Sequence, residues 1–495
     1  MIIILGIEAI RDIIDTLKNC QQLENAVILP LHSTLPSTEQ AKVFNLYPNQ
    51  IKIIVATNIA ETSITIPDVT VVIDTGRFKE NTFESKLSLS VLSEKWCSKA
   101  NIAQRKGRAG RVREGTYYLL SSSVTYHDFE DYPTPEISRV SLEEVALQIM
   151  ALQYGDPYDF LRCGVTVPST NSIKKALDVL LDLEAITIVD DCAKITATGL
   201  ALAAVPVNPR IALMLFYGVV LKVIDPILSI AALMNSKIFI TSFENRDAAD
   251  EARKSFLVGE SDILTNFNAF TAYMKIKSKG YRKTIDFCRK NYLNYNNLLL
   301  VEQLRKQYLE ILRELGMIAD NLNLEALVDS MYNTNANNID IICMAITKGC
   351  CSSIIKLPSQ YDPSNLPLKL SEIEFFSKTI PLYIHPSCIQ SDAKKISNKY
   401  LLYFDAGKTS KIYARDITPI TSYISLILFG GSVKKYDNFI TIDDWIVFEV
   451  SPLLANQLIS LKGLIENMFI SKILNKDDEA KNNIVLQLLT SLCKS

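Results

Sequence analysis

The sequence predicts a multidomain protein of mixed fold class. It starts with an α/β lobe built on a parallel sheet, continues with a helical part and then forms a small all-β barrel. Three observations support this prediction. The 495 residues are enough for roughly three or four domains of ordinary size. Apolar strand runs alternate with helix patterns in residues 1–124, and helical periodicity dominates the middle of the chain. Short strands then recur towards the end.

The first lobe shows the alternation of strands and helices clearly. Strands are predicted at residues 1–5 and 27–31, with a helix at 10–17 between them. The runs 53–55 and 69–73 are largely apolar and rich in β-branched residues, as strands buried on both faces of a parallel sheet should be. We therefore expect a parallel sheet in this lobe.

The helical part begins near residue 136, and the pattern continues to about residue 195. Two short strands are predicted at 186–189 and 193–196, and helices followed by a small hairpin suggest a winged helix. The segment 211–234 is strongly apolar, but Lys222, Asp225 and Pro226 interrupt it before it reaches the length of a membrane span. We expect two buried helices that meet at Asp225-Pro226. Residues 298–312 form the clearest amphipathic helix.

The last part of the chain has the spacing of short strands that is expected of a small barrel. An Asn-rich segment at 321–338 precedes it and predicts a helix between linkers. Strands are predicted at 400–404, 411–414, 425–429, 439–442 and 445–450, and a closing helix at 453–474.

Composition restricts the possible classes of protein. Hydrophobic residues make up 48% and charged residues 21%, as in an ordinary soluble globular protein. The 52 basic and 54 acidic residues give a formal net charge of −2, so any nucleic-acid site must be a local patch. Ten cysteines occur without a Cys-x-x-Cys pair and the three histidines lie far apart, which argues against zinc and for a reducing compartment. We expect a cytosolic or nuclear protein without a membrane segment.

The most informative segment is Gln104-Arg105-Lys106-Gly107-Arg108-Ala109-Gly110-Arg111. It places four cations and an amide around two glycines, and residues 95–113 contain seven basic residues and no acidic one. Arg108 and Arg111 are three apart and would lie on the same side of a helical turn. Two guanidinium groups aimed at one point suit the charge of a phosphoryl group during transfer. The alternative is a solvated basic turn, the usual meaning of a charge run.

A second informative segment is Ala56-Thr57-Asn58-Ile59-Ala60-Glu61-Thr62-Ser63-Ile64-Thr65, which follows the predicted strand at 53–55. Small hydroxyl and amide side chains just past the carboxyl end of such a strand are where open α/β sheets bind ligands. The sequence therefore predicts a ligand-binding edge here.

These segments resemble the motifs of the DEAH-box ATP-dependent RNA helicases. ATNIAETSITIP resembles the family's fifth motif and QRKGRAGR its sixth, while Leu31-His32-Ser33-Thr34-Leu35 resembles the region after its fourth. The stretch 73–81 is most similar to the RNA helicase A-like branch. The resemblance implies a second RecA-like lobe at 1–124, a winged helix at 125–197 and a helicase-associated helical bundle at 198–330. It also implies an OB-fold domain at 331–474, a C-terminal tail at 475–495 and a projecting β-hairpin at 80–93.

The resemblance implies roles for individual residues. Gln104 would help to place the attacking water, and Arg108 and Arg111 would act as arginine fingers on the γ-phosphate of ATP. Ser63 and Thr65 would line the face near the nucleotide, and Phe44 would stack on adenine unless it is a core residue. Thr57 and Asn58 would contact RNA phosphates, and Asn268 would border the RNA channel. We interpret His32 as a buried imidazole and Glu61 as a local structural acceptor. Pro67 stands where several relatives have Asp.

The family's phosphate-binding loop GxxxxGK[ST] and its magnesium-binding DExH motif are both absent from this sequence. Gly407-Lys408-Thr409 mimics the end of such a loop, but we interpret it as a hairpin turn, and Asp478-Glu479-Ala480 as a solvated charge run. ATP and Mg²⁺ would thus depend on a first lobe for the metal ligands.

Three hypotheses remain open: an enzyme portion whose first lobe lies elsewhere, a truncated relative that binds RNA or ribonucleoprotein without ATPase activity, and a structural interaction protein. A G-patch-type activator is a further expected partner, and a monomer is the expected state.

Overall fold

The computed structural model describes the chain except residues 33, 34, 36, 63–65, 85–88, 113, 191, 235, 241–245, 359–369, 390–398, 409, 475, 477, 478 and 493–495. The described residues form two compact units. The first consists mainly of Met1–Phe83 and Ser90–Val140, and the second mainly of Ser141–Ile240 and Asn245–Ser495.

The first unit contains a parallel sheet, as the sequence predicted. Its strands are β1 (Ile2–Ile3), β2 (Ala26–Leu31), β3 (Ile51–Ala56), β4 (Val71–Asp74), β5 (Arg77–Glu84), β6 (Leu89–Trp96) and β7 (Thr116–Leu119). Its helices are α1 (Ile7–Lys18), α2 (Ser37–Ala41), α3 (Ile59–Thr62), α4 (Lys99–Lys106) and α5 (Ser123–His127). The parallel strands lie in the order β2-β3-β1-β4-β7. Strands β5 and β6 are hydrogen-bonded neighbours, so the hairpin implied at 80–93 is present with longer strands.

The apolar strand runs explain this sheet. Ile54, Val55 and Ala56 at the end of β3 are almost completely buried, as are Ile3 of β1 and Val72 of β4. The helix α1 is amphipathic and packs Ile10 and Ile14 against Val55. Gly6 has φ 86°, a left-handed conformation that allows the sharp turn from β1 into α1.

The second unit begins with α6 (Glu143–Ala151), α7 (Pro157–Arg162) and α8 (Thr170–Asp182), followed by the antiparallel pair β8 (Ile186–Val189) and β9 (Cys192–Ile195) and by α9 (Ala197–Ala203). The hairpin predicted at 186–196 is therefore present. Whether this part is a winged helix stays a prediction.

The helical bundle comprises α10 (Pro209–Val220), α11 (Ile224–Met234), α12 (Arg246–Lys254), α13 (Asp262–Lys277), α14 (Tyr281–Lys290), α15 (Tyr295–Glu314), α16 (Leu324–Val328) and α17 (Ile339–Gly349). The two buried helices predicted in 211–234 are α10 and α11, but they meet at residues 221–223 and not at Asp225-Pro226. Lys222 has φ 57° and interrupts the helix, whereas Pro226 lies in the first turn of α11, where its missing N–H is tolerated. Among the described residues, no helix is both long and apolar enough to cross a membrane.

The barrel region contains strands β10 (Ile354–Lys356), β11 (Glu374–Ser377), β12 (Leu382–Ile384), β13 (Tyr400–Leu402), β14 (Asp405–Lys408), β15 (Ile412–Arg415) and β16 (Thr418–Pro419). They lie in the order β16-β13-β10-β11-β12-β15-β14. A separate sheet consists of β17 (Val433–Lys435), β18 (Phe439–Ile442) and β19 (Ile446–Glu449), and the helices are α18 (Tyr423–Phe429), α19 (Pro452–Ile473) and α20 (Glu479–Leu492).

The strand predicted at 425–429 is wrong, because these residues belong to the helix α18. A short apolar run that is buried on all sides has the same pattern in a strand and in a helix. The Gly407-Lys408 pair lies at the end of β14, which pairs with β15 as a hairpin, so it is no phosphate loop. The segment predicted as a tail contains α20, whose Val485, Leu486 and Leu489 are buried.

One hydrophobic core runs through the whole second unit. It extends from Ala146 on α6 through almost every residue of α10 and α11 to Leu489 on α20. The predicted boundaries at 198, 331 and 475 therefore do not separate independent cores.

Candidate functional site

The candidate site lies at the carboxyl ends of the parallel strands in the first unit. His32 follows β2, Thr57 follows β3 and Thr75 follows β4. The backbone N–H of Thr57 donates to the carbonyl of Leu31 at 3.1 Å, which keeps two of these strand ends together. Ligands of open parallel sheets bind at this edge, as the sequence predicted for the segment after β3.

A buried polar network organises this edge around Arg105, the last-but-one residue of α4. Its side chain is fully buried. Its Nε donates to Oε2 of Glu61 at 2.9 Å and its Nη1 to Oδ1 of Asp74 at 2.8 Å. The same Nη1 lies 3.3 Å from the carbonyl oxygen of Arg77. Arg105 thus joins α4 to α3, to the end of β4 and to the start of β5.

Further hydrogen bonds hold the two carboxylates in place. Asn101 Nδ2 donates to Oε1 of Glu61 at 2.6 Å. Asp74 accepts from the Tyr117 hydroxyl at 2.6 Å and from the backbone N–H of Gly76 at 2.9 Å. Buried charges are tolerated when they are paired and hydrogen-bonded in this way.

The network keeps its charge pattern across the physiological range. Burial alone would lower the pKa of Arg105, but the negative charge of Asp74, together with Cys97 and Glu61, raises it above its usual value. Burial raises the pKa of the Cys97 thiol to about 12. Burial and the hydrogen bond to Asp74 raise the pKa of Tyr117 as well. Arg105 is therefore a permanent cation next to a protonated thiol and a protonated phenol.

This arrangement corrects one part of the sequence interpretation. All four cations of the segment 104–111 were expected to face an external anion. For Arg105 the anionic partners lie inside the chain, because Glu61 and Asp74 compensate its charge. The interpretation of Glu61 as a local structural acceptor agrees with this geometry.

The other side chains of the segment lie outside the buried network. The helix α4 begins at Ser98, whose side chain forms a capping box with Asn101, and it ends at Lys106. Gln104 and Arg111 are exposed, and Arg108 is half-buried. Burial and then the positive charge of Arg111 lower the pKa of Arg108, so the two guanidinium groups are near enough to repel each other.

The turn that carries Arg108 is fixed to the sheet. Ala109 is 2% exposed and packs with Ile3 and Val72. The backbone at Gly115 returns so close that a Cβ atom there would lie 1.9 Å from the carbonyl oxygen of Ala109, so only glycine fits. Arg105 and Ala109 therefore hold the turn from two directions.

Gly107 and Gly110 have no comparable requirement within this chain. A Cβ atom at Gly110 would meet nothing within 4 Å, and neither residue has a positive φ. Their absence of side chains leaves the surface beside Arg108 and Arg111 open.

The structure locates the remaining predicted residues as follows. Thr57 is half-buried and Asn58 exposed, and their carbonyls accept from the N–H groups of Ala60 and Glu61 at 3.2 and 2.9 Å in the turn that leads into α3. Ser63 and Thr65 lie outside the described residues. Pro67 is exposed in the loop before β4.

Phe44 is 46% exposed, whereas its neighbour Val43 is fully buried. It is therefore not a core residue, which was the alternative interpretation. Lys52 Nζ donates to the carbonyls of Val43 and Asn45 and forms an ion pair with Asp68, so the backbone on both sides of Phe44 is held in place.

Asn268 lies on α13 in the second unit, where its Nδ2 donates to the carbonyl oxygen of Phe256 at 3.0 Å. Its contact with RNA stays a prediction. His32 is 8% exposed, and burial followed by the charge of Arg11 lowers its pKa, so it is neutral at pH 7. Among the described residues, no group of His, Cys, Asp and Glu could hold a metal ion.

Sequence reasoning assigned no role to Asp74, Asn101 and Tyr117. A signal was available for Asp74, because a carboxylate at the end of an apolar β-branched run requires a buried cation. The partners Asn101 and Tyr117 gave no such signal, since both residue types are common at the ends of elements.

Comparison with known protein families adds three matches. Residues 3–113 match the helicase conserved C-terminal domain, which covers the parallel sheet as far as the turn after α4. Residues 208–289 match the ratchet-like helicase-associated domain HA2, and residues 342–433 match an oligonucleotide/oligosaccharide-binding (OB) fold.

Curated relatives cover nearly the whole chain. ATP-dependent RNA helicase DHX29 of Homo sapiens is 33% identical over 504 residues, which is 100% of this chain and 36% of the relative. ATP-dependent DNA/RNA helicase DHX36 of Bos taurus is 34% identical over 483 residues, with 95% of this chain and 46% of the relative covered. DExH-box ATP-dependent RNA helicase DExH1 of Arabidopsis thaliana is 30% identical over 455 residues, 90% of this chain and 44% of the relative. The chain thus spans less than half the length of these relatives.

Proposed function

We propose that this chain, which belongs to the DEAH-box helicase family and corresponds to the C-terminal portion of its longer members, forms the second half of an ATP-driven RNA motor. It would complete an ATP site when a first RecA-like lobe faces it, and it would couple hydrolysis to movement along RNA.

The observation that carries this proposal is the different treatment of three arginines within one short segment. Arg105 is compensated by two internal carboxylates, whereas Arg108 and Arg111 form a like-charged pair on a turn that is fixed to the sheet edge. A like-charged pair costs free energy in the free protein, and a bound anion removes that cost. The triphosphate of ATP is such an anion, and the open surface at Gly110 leaves room for it.

In this proposal Arg108 and Arg111 contact the γ-phosphate and stabilise the charge that develops during transfer, while Gln104 orients the attacking water. Phe44 stacks on the adenine ring, and Ser63 and Thr65 line the nucleotide side. Mg²⁺ neutralises the phosphate charge, and its ligands come from the first lobe.

RNA contacts are proposed for both units. Thr57 and Asn58 contact phosphates through a hydroxyl and through backbone groups at the exposed turn before α3. Asn268 borders the path of the strand in the second unit. A G-patch-type activator or a ribonucleoprotein is a further proposed partner of a chain that acts as a monomer in the cytosol or nucleus.

The proposal is tested with this chain fused behind the first helicase lobe of a relative. We expect RNA-stimulated ATP hydrolysis, and we expect Arg108→Ala or Arg111→Ala to reduce kcat by about 10³-fold or more, as for other arginine fingers. Lys106→Ala is the matched control, because Lys106 is an exposed cation of the same segment.

The chain by itself should not turn over MgATP, because it contains neither a phosphate loop nor a DExH motif. That same observation favours a second function, an RNA- or ribonucleoprotein-binding module without ATPase activity. A fusion that binds RNA in a salt-sensitive way and never hydrolyses ATP would support this second function. Robust ATPase activity of the unfused chain would refute the proposed division of labour between the lobes.

A further inference from the structure

The Arg105 network connects the two turns to which the proposed function assigns different ligands. We infer that the Arg105–Glu61 ion pair couples the RNA-facing turn at Thr57 and Asn58 to the nucleotide-facing turn at Arg108 and Arg111. Arg105 and Glu61 are then positioning residues, since neither contacts a ligand itself. The inference rests on the proposed function and names how its two sites communicate.

A short chain of contacts joins the two turns. The carbonyl oxygen of Asn58 accepts from the N–H of Glu61 at 2.9 Å, and Glu61 Oε2 accepts from Arg105 Nε at 2.9 Å. The carbonyl oxygen of Arg105 accepts from the N–H of Arg108 at 3.1 Å. Three hydrogen bonds and two short backbone turns therefore separate Asn58 from Arg108.

The two ends of the ion pair differ in how firmly they are held. Asp74, the second partner of Arg105, lies at the end of a central strand and is fixed by Tyr117 and Gly76. Glu61 lies on α3, which has only four residues and cannot be stable on its own. The position of α3 therefore depends on its tertiary contacts, chiefly the burial of Ala60 and the bonds from Glu61 to Arg105 and Asn101.

Buried ion pairs transmit displacement because they cannot be stretched without a large cost. Arg105 and Glu61 are 0% and 7% exposed, so separating them would leave two charges away from water. When RNA moves the turn at Thr57 and Asn58, α3 should therefore carry Arg105 and the end of α4 with it. The turn with Arg108 and Arg111 follows directly after that helix end.

The test uses the full chain and single-stranded oligouridine RNA as the probe. Hydrogen–deuterium exchange is followed by mass spectrometry in two segments, 56–62 and 104–111, with and without RNA. In the wild-type chain we expect RNA to slow exchange in both segments, by about fivefold or more in 104–111, the lower end of site–site coupling in proteins.

Glu61→Gln keeps the size of the side chain but removes the charge that holds Arg105. We expect it to keep the protection of 56–62 and to lose the protection of 104–111. Arg105→Lys should have the same effect, because an ammonium cannot bridge Glu61 and Asp74 with the geometry of a guanidinium fork. The double variant should be no worse than either single variant. Glu24→Gln, the same substitution at an exposed position, is the control and should behave as wild type.

Thermal unfolding of each variant separates loss of coupling from loss of folding. Protection of 56–62 alone in the folded wild-type chain, or unchanged protection of 104–111 in folded Glu61→Gln, would overturn the inference and leave the proposed function standing. Absence of any RNA effect at 56–62 would instead refute the RNA contacts of Thr57 and Asn58, and the inference with them.

Discussion

Replacement of Arg105 by methionine should strongly destabilise the first unit. Methionine has a similar length and fills the space, so the change removes the charge and the hydrogen bonds while it leaves little cavity. Asp74 and Glu61 would remain 0% and 7% exposed without a cation beside them. Breaking a buried pair by removal of one partner costs about 3–5 kcal/mol. We expect a loss at the upper end, because two carboxylates lose their partner.

The loss can be measured in the first unit alone through Trp96. The chain has two tryptophans, and Trp96 lies in the first unit, where its ring stacks on Phe129 at a centroid distance of 5.2 Å. Trp445→Phe removes the signal of the second unit. In urea, a unit of this size loses about 2 kcal/mol of unfolding free energy per molar denaturant, so the midpoint should fall by roughly 2 M.

Arg111→Met is the matched control, since it removes the same charge from an exposed position of the same segment. Its effect should stay within about 0.5 kcal/mol. Equal midpoints for the two variants would show that Arg105 is not held by its carboxylates as described, and the assignment of separate roles within the segment would fail.

Three further predictions concern other parts of the chain. Gly115→Ala should destabilise the first unit by about 1–3 kcal/mol in the same urea assay, because its Cβ would meet the carbonyl of Ala109 at 1.9 Å; an unchanged midpoint would contradict the close approach. Burial, and then the charge of Asp262, raise the pKa of Asp416 from 3.8 to about 6, so the folded state holds this proton more tightly and the second unit should become more stable as the pH falls from 7 to 5. Asp416→Asn should stabilise that unit by up to about 3 kcal/mol at pH 7 and flatten its pH dependence in thermal unfolding, and a variant as pH-dependent as wild type would refute this cause. Phe44→Ala should leave the melting temperature of the first unit within a few degrees because the ring is 46% exposed, yet weaken binding of a fluorescent ATP analogue to the fusion with a first lobe; a large loss of stability would mean that the ring is packed after all.

Local patterns predicted the parallel sheet well because strand burial leaves a direct signature. The runs of β-branched residues at 53–55 and 69–73 lie within or beside β3 and β4, and the strand predicted at 439–442 coincides with β18. The same reasoning failed at 425–429, since α18 is too short and too buried to show a helical period.

The candidate site was predictable in its location but not in its internal organisation. Spacing and residue type led to the segments 56–65 and 104–111, and the structure brings them together through Glu61 and Arg105. Nothing in the spacing of the segment 104–111 distinguishes Arg105 from Arg108 and Arg111. The distinction depends on Asp74, which lies 31 positions away in the sequence and becomes a neighbour only through the fold.

The continuous core of the second unit has a consequence for any attempt to exchange parts between relatives. Because α10 and α11 supply apolar contacts to helices before and after them, the bundle is the shared wall of the regions on either side. A barrel or an N-terminal hairpin grafted from another helicase would meet a surface shaped for its original partner. Sequence changes that adapt one region to a new RNA or protein must therefore spare the inward-facing side chains, and specificity should diverge in the loops while the wall between the regions stays fixed.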